Sequence, residues 1–286
     1  MSLALPVRAR SSAALVLAGV LWGTGGLAGS LLGELAGLHP LAVAAWRLLV
    51  GGGVACLFVK IRPRGLAAAK RLLAVGGLFA LSQASYFAAV ALSSVSVATM
   101  TTIGAAPVVV TLAGRRRPGR WTLVSLAGTL AGLVLLRWSP QDSASLGGLG
   151  FALLAAAGFA TLTLVTAKPV ESLDPLSTTA FGCLLGGLLL TPVASWSGMA
   201  LPLHVDVLAV ALYLGVVPTA LAYAAYLRGL ADAHPVLGAL SAVLEPLTAA
   251  VLSAVLLGER PAGTAWCGAA VLVAALAVGY WRPERR

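Results

Sequence analysis

Hydrophobic residues in this chain come in long unbroken runs, with short polar or charged segments between them. A helix needs about 20 apolar residues to cross a bilayer core. Ten runs meet that need: 11–33, 40–60, 71–92, 97–114, 120–137, 146–168, 175–196, 206–227, 235–257 and 262–281. Some breaks are sharp. Lys60–Arg64, with Pro63, ends the second run, and Arg115–Arg116–Arg117–Pro118–Gly119–Arg120 separates the fourth from the fifth. From Leu72 to Gly114 there is no charge, and the polar turn Ser93–Ser94–Val95–Ser96 divides that stretch into two helices. The fourth and fifth runs are short and are expected to tilt little or to lie partly sheltered. A β-barrel is excluded, because its strands alternate polar and apolar residues over roughly ten positions. The apolar run behind Arg8 and Arg10 exceeds a signal-peptide core, so it is read as an uncleaved first span.

Composition agrees with lipid as the solvent. Of 286 residues, 59% are hydrophobic and 10% charged, against roughly 25% charged in a soluble domain. The net charge of +10 does not point to nucleic acid. Its basic residues form short clusters between apolar runs, not one face with interleaved aromatics. Their distribution gives topology instead. With ten spans and a cytoplasmic N-terminus, only Arg137 and Arg260 of the 19 Lys and Arg fall in outer segments, and Arg47 falls within a span. All the others lie on the inner side, as the positive-inside rule requires. Both termini are therefore expected in the cytoplasm.

The chain also matches itself. Leu17–Thr24, with Trp22 two residues before Thr24, parallels Leu154–Thr161, with Phe159 before Thr161. His39–Pro40–Leu41 parallels Asp174–Pro175–Leu176, Ala91–Leu92 parallels Gly229–Leu230, and Pro107 parallels Pro246. The offsets stay between 135 and 139 residues. Two five-helix halves, 1–140 and 141–286, follow. Five is odd, so the second half is inverted relative to the first. Inverted repeats with a midplane site between them are a recurrent plan of secondary transporters. The predicted fold is an all-α integral membrane protein with ten transmembrane helices in two inverted five-helix repeats.

Several segments carry a family resemblance: Leu21-Trp22-Gly23-Thr24, Pro40 with Arg47, Tyr86 to Leu92, Leu244-Glu245-Pro246-Leu247 and Leu257-Gly258-Glu259-Arg260. In these, and in its overall plan, the chain resembles the EamA-type carriers of the drug/metabolite transporter superfamily. The resemblance implies export of small metabolites, often amino acids, across the bacterial inner membrane. More finely, it looks similar to the YddG-type aromatic amino-acid exporters. The first half departs from the pattern: where the second has Glu259, it reads Arg115-Arg116-Arg117.

Intramembrane ionisable residues are costly and often functional. Glu245 is read either as a proton-coupling or amine site, or as a structural carboxylate beside the kink at Pro246. Arg47 either binds a substrate carboxylate, or snorkels, or pairs with a carbonyl. Pro107 and Pro246 are expected to make matched kinks, since proline removes a helical hydrogen bond. A mostly apolar pocket is expected from Trp22, Thr24, Ser82, Gln83, Tyr86, Thr99, Met100, Phe159, Thr161, Thr163, Tyr223 and Tyr226. The alternative for these residues is interhelical bonding by Ser and Thr and interfacial anchoring by Trp and Tyr. Glycines at Gly25/Gly29/Gly33/Gly37, Gly128/Gly132 and Gly182/Gly186 predict close helix packing or a homodimer seam.

No phosphate-binding G-x-x-x-x-G-K-[ST] is present, so gradient-driven transport is expected over a primary pump. No H-E-x-x-H or G-x-S-x-G occurs, and His39, His204 and His234 fall near span ends. The three cysteines fit no metal spacing. A non-enzymatic carrier without cofactor or metal is expected, monomeric or homodimeric, with a small-molecule substrate and the bilayer as its partners. Phosphorylated substrates need several cationic groups in the cavity, and only Arg47 is intramembrane. A zwitterionic or weakly charged substrate fits better.

Overall fold

The computed structural model describes residues 7–60, 63–114, 118–137, 145–256, 258 and 261–281. Over these residues the chain forms ten helical spans: α1 (Val7–Ala36), α2 (Pro40–Cys56), α3 (Gly65–Leu92), α4 (Val95–Leu112), α5 (Arg120–Arg137), α6 (Leu146–Thr166), α7 (Pro175–Trp196), α8 (Val205–Asp232), α9 (Pro235–Leu256) and α10 (Gly263–Trp281). Eight of them are long and apolar enough to cross a membrane, while α2 and α5 are shorter apolar helices. At about 1.5 Å per residue, the 17 residues of α2 cover roughly 26 Å, near the lower limit for spanning. The outer surface is apolar as well. Leu73, Val124, Leu189 and Trp281 are all more than half exposed, as lipid-facing side chains should be.

Helix starts follow local chemistry. His39-Pro40, Asp174-Pro175 and His234-Pro235 place a cap before a proline at the first helical position, where its missing amide costs nothing. The Leu41 amide donates to His39 Nδ1 at 3.2 Å, and Asp174 and Ser177 close a reciprocal capping box. All three histidines are N-caps, in keeping with their predicted place at span ends.

Boundaries shift at charged ends. α2 stops at Cys56, not residue 60, and α3 starts at Gly65, not 71. Arg71 thereby lies inside α3, where its guanidinium donates to the carbonyls of Val165 and, at 2.9 Å, Lys168. These carbonyls lie at and just beyond the end of α6, where a cation is favoured. Leu257, Glu259 and Arg260 of the family motif lie outside the described residues, as do Arg115, Arg116 and Arg117 and the side chain of Arg137.

The packing has a regular plan. α2 packs on α7 and α5 on α10; α1 packs on α8 and α9, and α6 packs on α3 and α4. Exchanging each helix for the one five places along leaves this set of pairs unchanged. The closest approaches are made through glycine. A Cβ on Gly52 would lie 2.5 Å from the Leu184 nitrogen on α7, and one on Gly268 would lie 2.4 Å from the Leu136 nitrogen on α5. The rows Gly128/Gly132 and Gly182/Gly186 do lie in such contacts. The row at Gly25/Gly29/Gly33/Gly37 does not behave as one. Gly37 ends α1 at φ +64°, and the tight face of α1 is Gly19 and Gly23, against Ser241, Glu245 and Thr248 of α9.

The two predicted proline kinks are unequal. α4 runs as one helix through Pro107, and the Thr111 hydroxyl donates to the Pro107 carbonyl at 2.7 Å. α9 breaks into Pro235–Ser241 and Leu244–Leu256. Pro246 has no amide for the Ala242 carbonyl, which accepts instead from the Glu245 amide at 3.0 Å. The first segment of α9 is buried from Val236 to Ser241 and packs against α1, α4, α6, α8 and α10. The second has α1 as its main neighbour. The bundle is therefore tightly filled at the end bearing the first segment, the end where α1 begins.

Candidate functional site

Near the middle of α1, Trp22 faces α6 and α8. Its ring centroid lies 5.8 Å from Phe159, 5.2 Å from Tyr223 and 5.0 Å from Tyr226, with edge-on or tilted planes. Tyr223 in turn meets Phe79 of α3 at 4.6 Å. Such geometries suit the ring quadrupoles. Trp22 and Phe159, which the internal match set as counterparts, touch one another at the centre of the bundle. The Tyr226 hydroxyl pairs with Thr163 Oγ1 at 2.7 Å, and Thr163 donates to Phe159's carbonyl in its own helix.

Seven residues along α3 from Phe79, about 10 Å at helical rise, Tyr86 pairs its hydroxyl with Thr99 Oγ1 of α4 at 2.8 Å. Between these levels lies Ser82, whose Oγ sits 2.5 Å from the point a Cβ on Gly158 would occupy. Phe79, Ser82, Gln83 and Tyr86 follow i, i+3, i+4, i+7 spacing and share one helix face. Gln83 and Met100 are partly buried, with Met100 packed against the main core. Two interior polar atoms on this band find no hydrogen-bond partner: Trp22 Nε1 and Ser82 Oγ. Trp22 itself is 5% exposed. Leaving a buried donor unmade costs about 1–3 kcal/mol, and among the described residues Thr129 Oγ1 of α5 and the Tyr280 hydroxyl of α10 share that status.

Not every predicted pocket residue joins this band. Thr161 lies exposed on the outer face of α6, its hydroxyl returned to the Ala157 carbonyl at 2.7 Å. It is one residue out of phase with the buried Leu162 and Thr163, so the α6 hydroxyl that meets the aromatic cluster is Thr163. Thr24 is partly buried and donates to Leu21's carbonyl within α1. Phe79 was absent from the predicted pocket, although its spacing to Ser82 and Tyr86 pointed to it.

A second feature was also missed. Within α8, Val216–Leu221 forms a wide π-type turn around Pro218. Proline deprives the carbonyl four residues back of its donor, and here that carbonyl is Leu214's. The Thr219 hydroxyl donates to it at 2.8 Å. Arg47 Nε then donates to Thr219 Oγ1 at 3.2 Å, and its Nη2 to the Pro218 carbonyl at 3.4 Å. A charged side chain at a span's centre costs about 2.5–3.5 kcal/mol on insertion scales. Hydrogen bonds to charged groups return roughly 1.5–3 kcal/mol each, so two bonds offset that cost. Arg47 thus bonds a carbonyl and a hydroxyl of α8. Glu245 is partly buried at the start of the second α9 segment, where α1 approaches through Gly23.

Away from this band, an apolar groove of about 620 Å³ lies among Trp46, Val50, Met199, Leu203 and Leu208. Trp46 Nε1 donates to the Met199 carbonyl there at 3.0 Å. It sits at the end of α2 and α8 opposite the N-terminus and shares no residue with the aromatic cluster.

The EamA-like transporter family model matches residues 146–281. Over 283 residues the chain is 31% identical to "Uncharacterized transporter YwfM" of Bacillus subtilis, covering 95% of this chain and 94% of that protein. It is 24% identical over 279 residues to "Uncharacterized inner membrane transporter YicL" of Salmonella typhimurium, covering 91% and 92% respectively. A crystal structure at 22% identity superposes with a TM-score of 0.79 over 94% of this chain and 97% of that one. At that identity the likeness concerns the fold.

Proposed function

Since the chain belongs to the EamA-like transporter family, and is thereby a multi-pass membrane transporter of small molecules, we propose that it exports zwitterionic metabolites, aromatic or large apolar amino acids first. The observation that carries this reading is the pair of unpartnered interior donors, Trp22 Nε1 and Ser82 Oγ, set among aromatic rings. Rings pack against an apolar side chain, and the two groups donate to a carboxylate. Phosphorylated ligands fit less well, because Arg47, near the middle of α2, is engaged by the α8 turn.

Transport proceeds by alternating access between two inverted halves, 1–140 and 141–286, with the aromatic band at their junction. The five-place exchange of helix pairs and the Trp22–Phe159 contact support this division. The packed first segment of α9 is the closed gate on the terminal side. The charge distribution supports a cytoplasmic position for both termini. A bacterial inner-membrane location accords with the printed name of the Salmonella relative.

The test is counterflow of labelled amino acids in liposomes containing the purified protein. Saturable exchange of phenylalanine, tryptophan or leucine is the outcome this reading requires. Protein shown to be folded that exchanges no amino acid would overturn the substrate class and redirect the search to drugs, amines and sugar phosphates. Glu245 is assigned a structural role beside the α9 break. Glu245→Gln is therefore expected to leave the pH profile of counterflow unchanged. A flattened profile would instead make it the proton-coupling group.

A further inference from the structure

The wide turn of α8 divides that helix into two parts with different attachments. Before the turn, Gly215 meets α2, where a Cβ would lie 2.8 Å from the Gly51 nitrogen. After it, Gly229 meets Ser11 and Leu15 of α1, and Tyr223 and Tyr226 carry the aromatic contacts to Trp22. The turn thus joins a part packed on α2 to a part that forms one wall of the proposed substrate site. It is held by a relay across two helices: Arg47 to Thr219, and Thr219 to the Leu214 carbonyl, with a second arm from Arg47 to Pro218. Thr219 is fully buried, so water does not compete for these bonds. A regular turn at Pro218 would meet the proline ring's clash with the carbonyl four residues back, so the wide turn relieves it, and π-type turns occur often at functional sites.

We propose that Arg47 is a positioning residue for transport. It fixes the wide turn at Pro218–Thr219, sets the angle at which Tyr223 and Tyr226 meet Trp22, and so controls the rate of the conformational step without touching substrate. The transport half of its test rests on the proposed amino-acid substrate, and the other half does not.

Both halves use the full-length protein and the variants Arg47→Gln, Thr219→Val, Thr219→Ser, Pro218→Ala and the double variant Arg47→Gln/Thr219→Val. Amide hydrogen exchange reads α8 directly. Arg47→Gln and Thr219→Val are each expected to speed exchange in 220–232 about tenfold. The double variant should fall short of the product of the two single effects, because the bond between Arg47 and Thr219 is lost in both. Thr219→Ser keeps the hydroxyl and should match the parent protein. Pro218→Ala restores the amide that Leu214 lacks, so exchange should slow and the melting temperature rise. In counterflow, Arg47→Gln, Thr219→Val and Pro218→Ala should each lower the maximal rate at least fivefold with KM held within twofold. A stabilised Pro218→Ala variant that turns over slowly separates positioning from general damage to the fold. Unchanged exchange, multiplying effects in the double variant, or a Pro218→Ala variant with full transport rate would overturn the proposal. If the parent protein moves no amino acid, the substrate reading fails, and the exchange data alone judge the relay.

Discussion

Replacing Gly268 by alanine should cost on the order of 3 kcal/mol, the upper end of overpacking penalties. A Cβ there would lie 2.4 Å from the Leu136 nitrogen, 2.7 Å from the Gly132 carbonyl oxygen and 2.8 Å from the Leu135 carbonyl carbon. All three are backbone atoms of α5, so no side chain can swing aside. The helices must separate, and the bond from Ser125 Oγ to the Ala275 carbonyl at 2.7 Å would go with them. Gly26→Ala and Gly53→Ala are the matched controls, because nothing lies within 4 Å of either added methyl. They should be neutral or gain up to about 1 kcal/mol from helix propensity. Thermal unfolding and monodispersity in one detergent decide the matter. A Gly268→Ala protein that melts with the parent would mean that α5 and α10 are not locked at this point.

The second large effect is expected at Trp22. Truncation to alanine removes three ring contacts, and burying no indole there costs about 3–5 kcal/mol. Counterflow should be lost and folded yield should fall, so this variant alone does not separate packing from binding. Trp22→Phe does. It keeps an aromatic edge against Tyr223 and Tyr226 and removes the Nε1 donor, which finds no partner among the described residues. The smaller ring leaves a small cavity, so stability should fall by less than for alanine. If the indole N–H donates to a substrate carboxylate, a charge-assisted bond of about 1.5–3 kcal/mol disappears and KM rises roughly tenfold or more. Trp22→Phe with an unchanged KM would remove the indole from the substrate site while leaving its packing role intact.

Residue order sufficed for the spans and their punctuation. A bilayer demands about 20 apolar residues per crossing, a local requirement, and each predicted run contains one helical span. The proline starts at Pro40, Pro175 and Pro235, with His or Asp as caps, are local too. So is the pairing of Trp22 with Phe159 by sequence offset, two residues that the fold then sets 5.8 Å apart.

The interior face of each helix is a different matter. In water, an amphipathic stripe marks the buried side. In lipid both faces are apolar, and α6 carries leucine, alanine and glycine all round. That is why Thr161 and Thr163 are equivalent as letters, although one faces outward and the other bonds Tyr226. It is also why Phe79 is absent from the predicted pocket. Boundaries at Gly65 and Cys56, and the unequal fates of Pro107 and Pro246, depend on which orphaned carbonyl finds a donor nearby. The wide turn of α8 depends on Arg47, 172 positions from Thr219. A proline's cost can be read from its own neighbours. Whether another helix brings the hydroxyl and guanidinium that offset it is settled only when the helices pack.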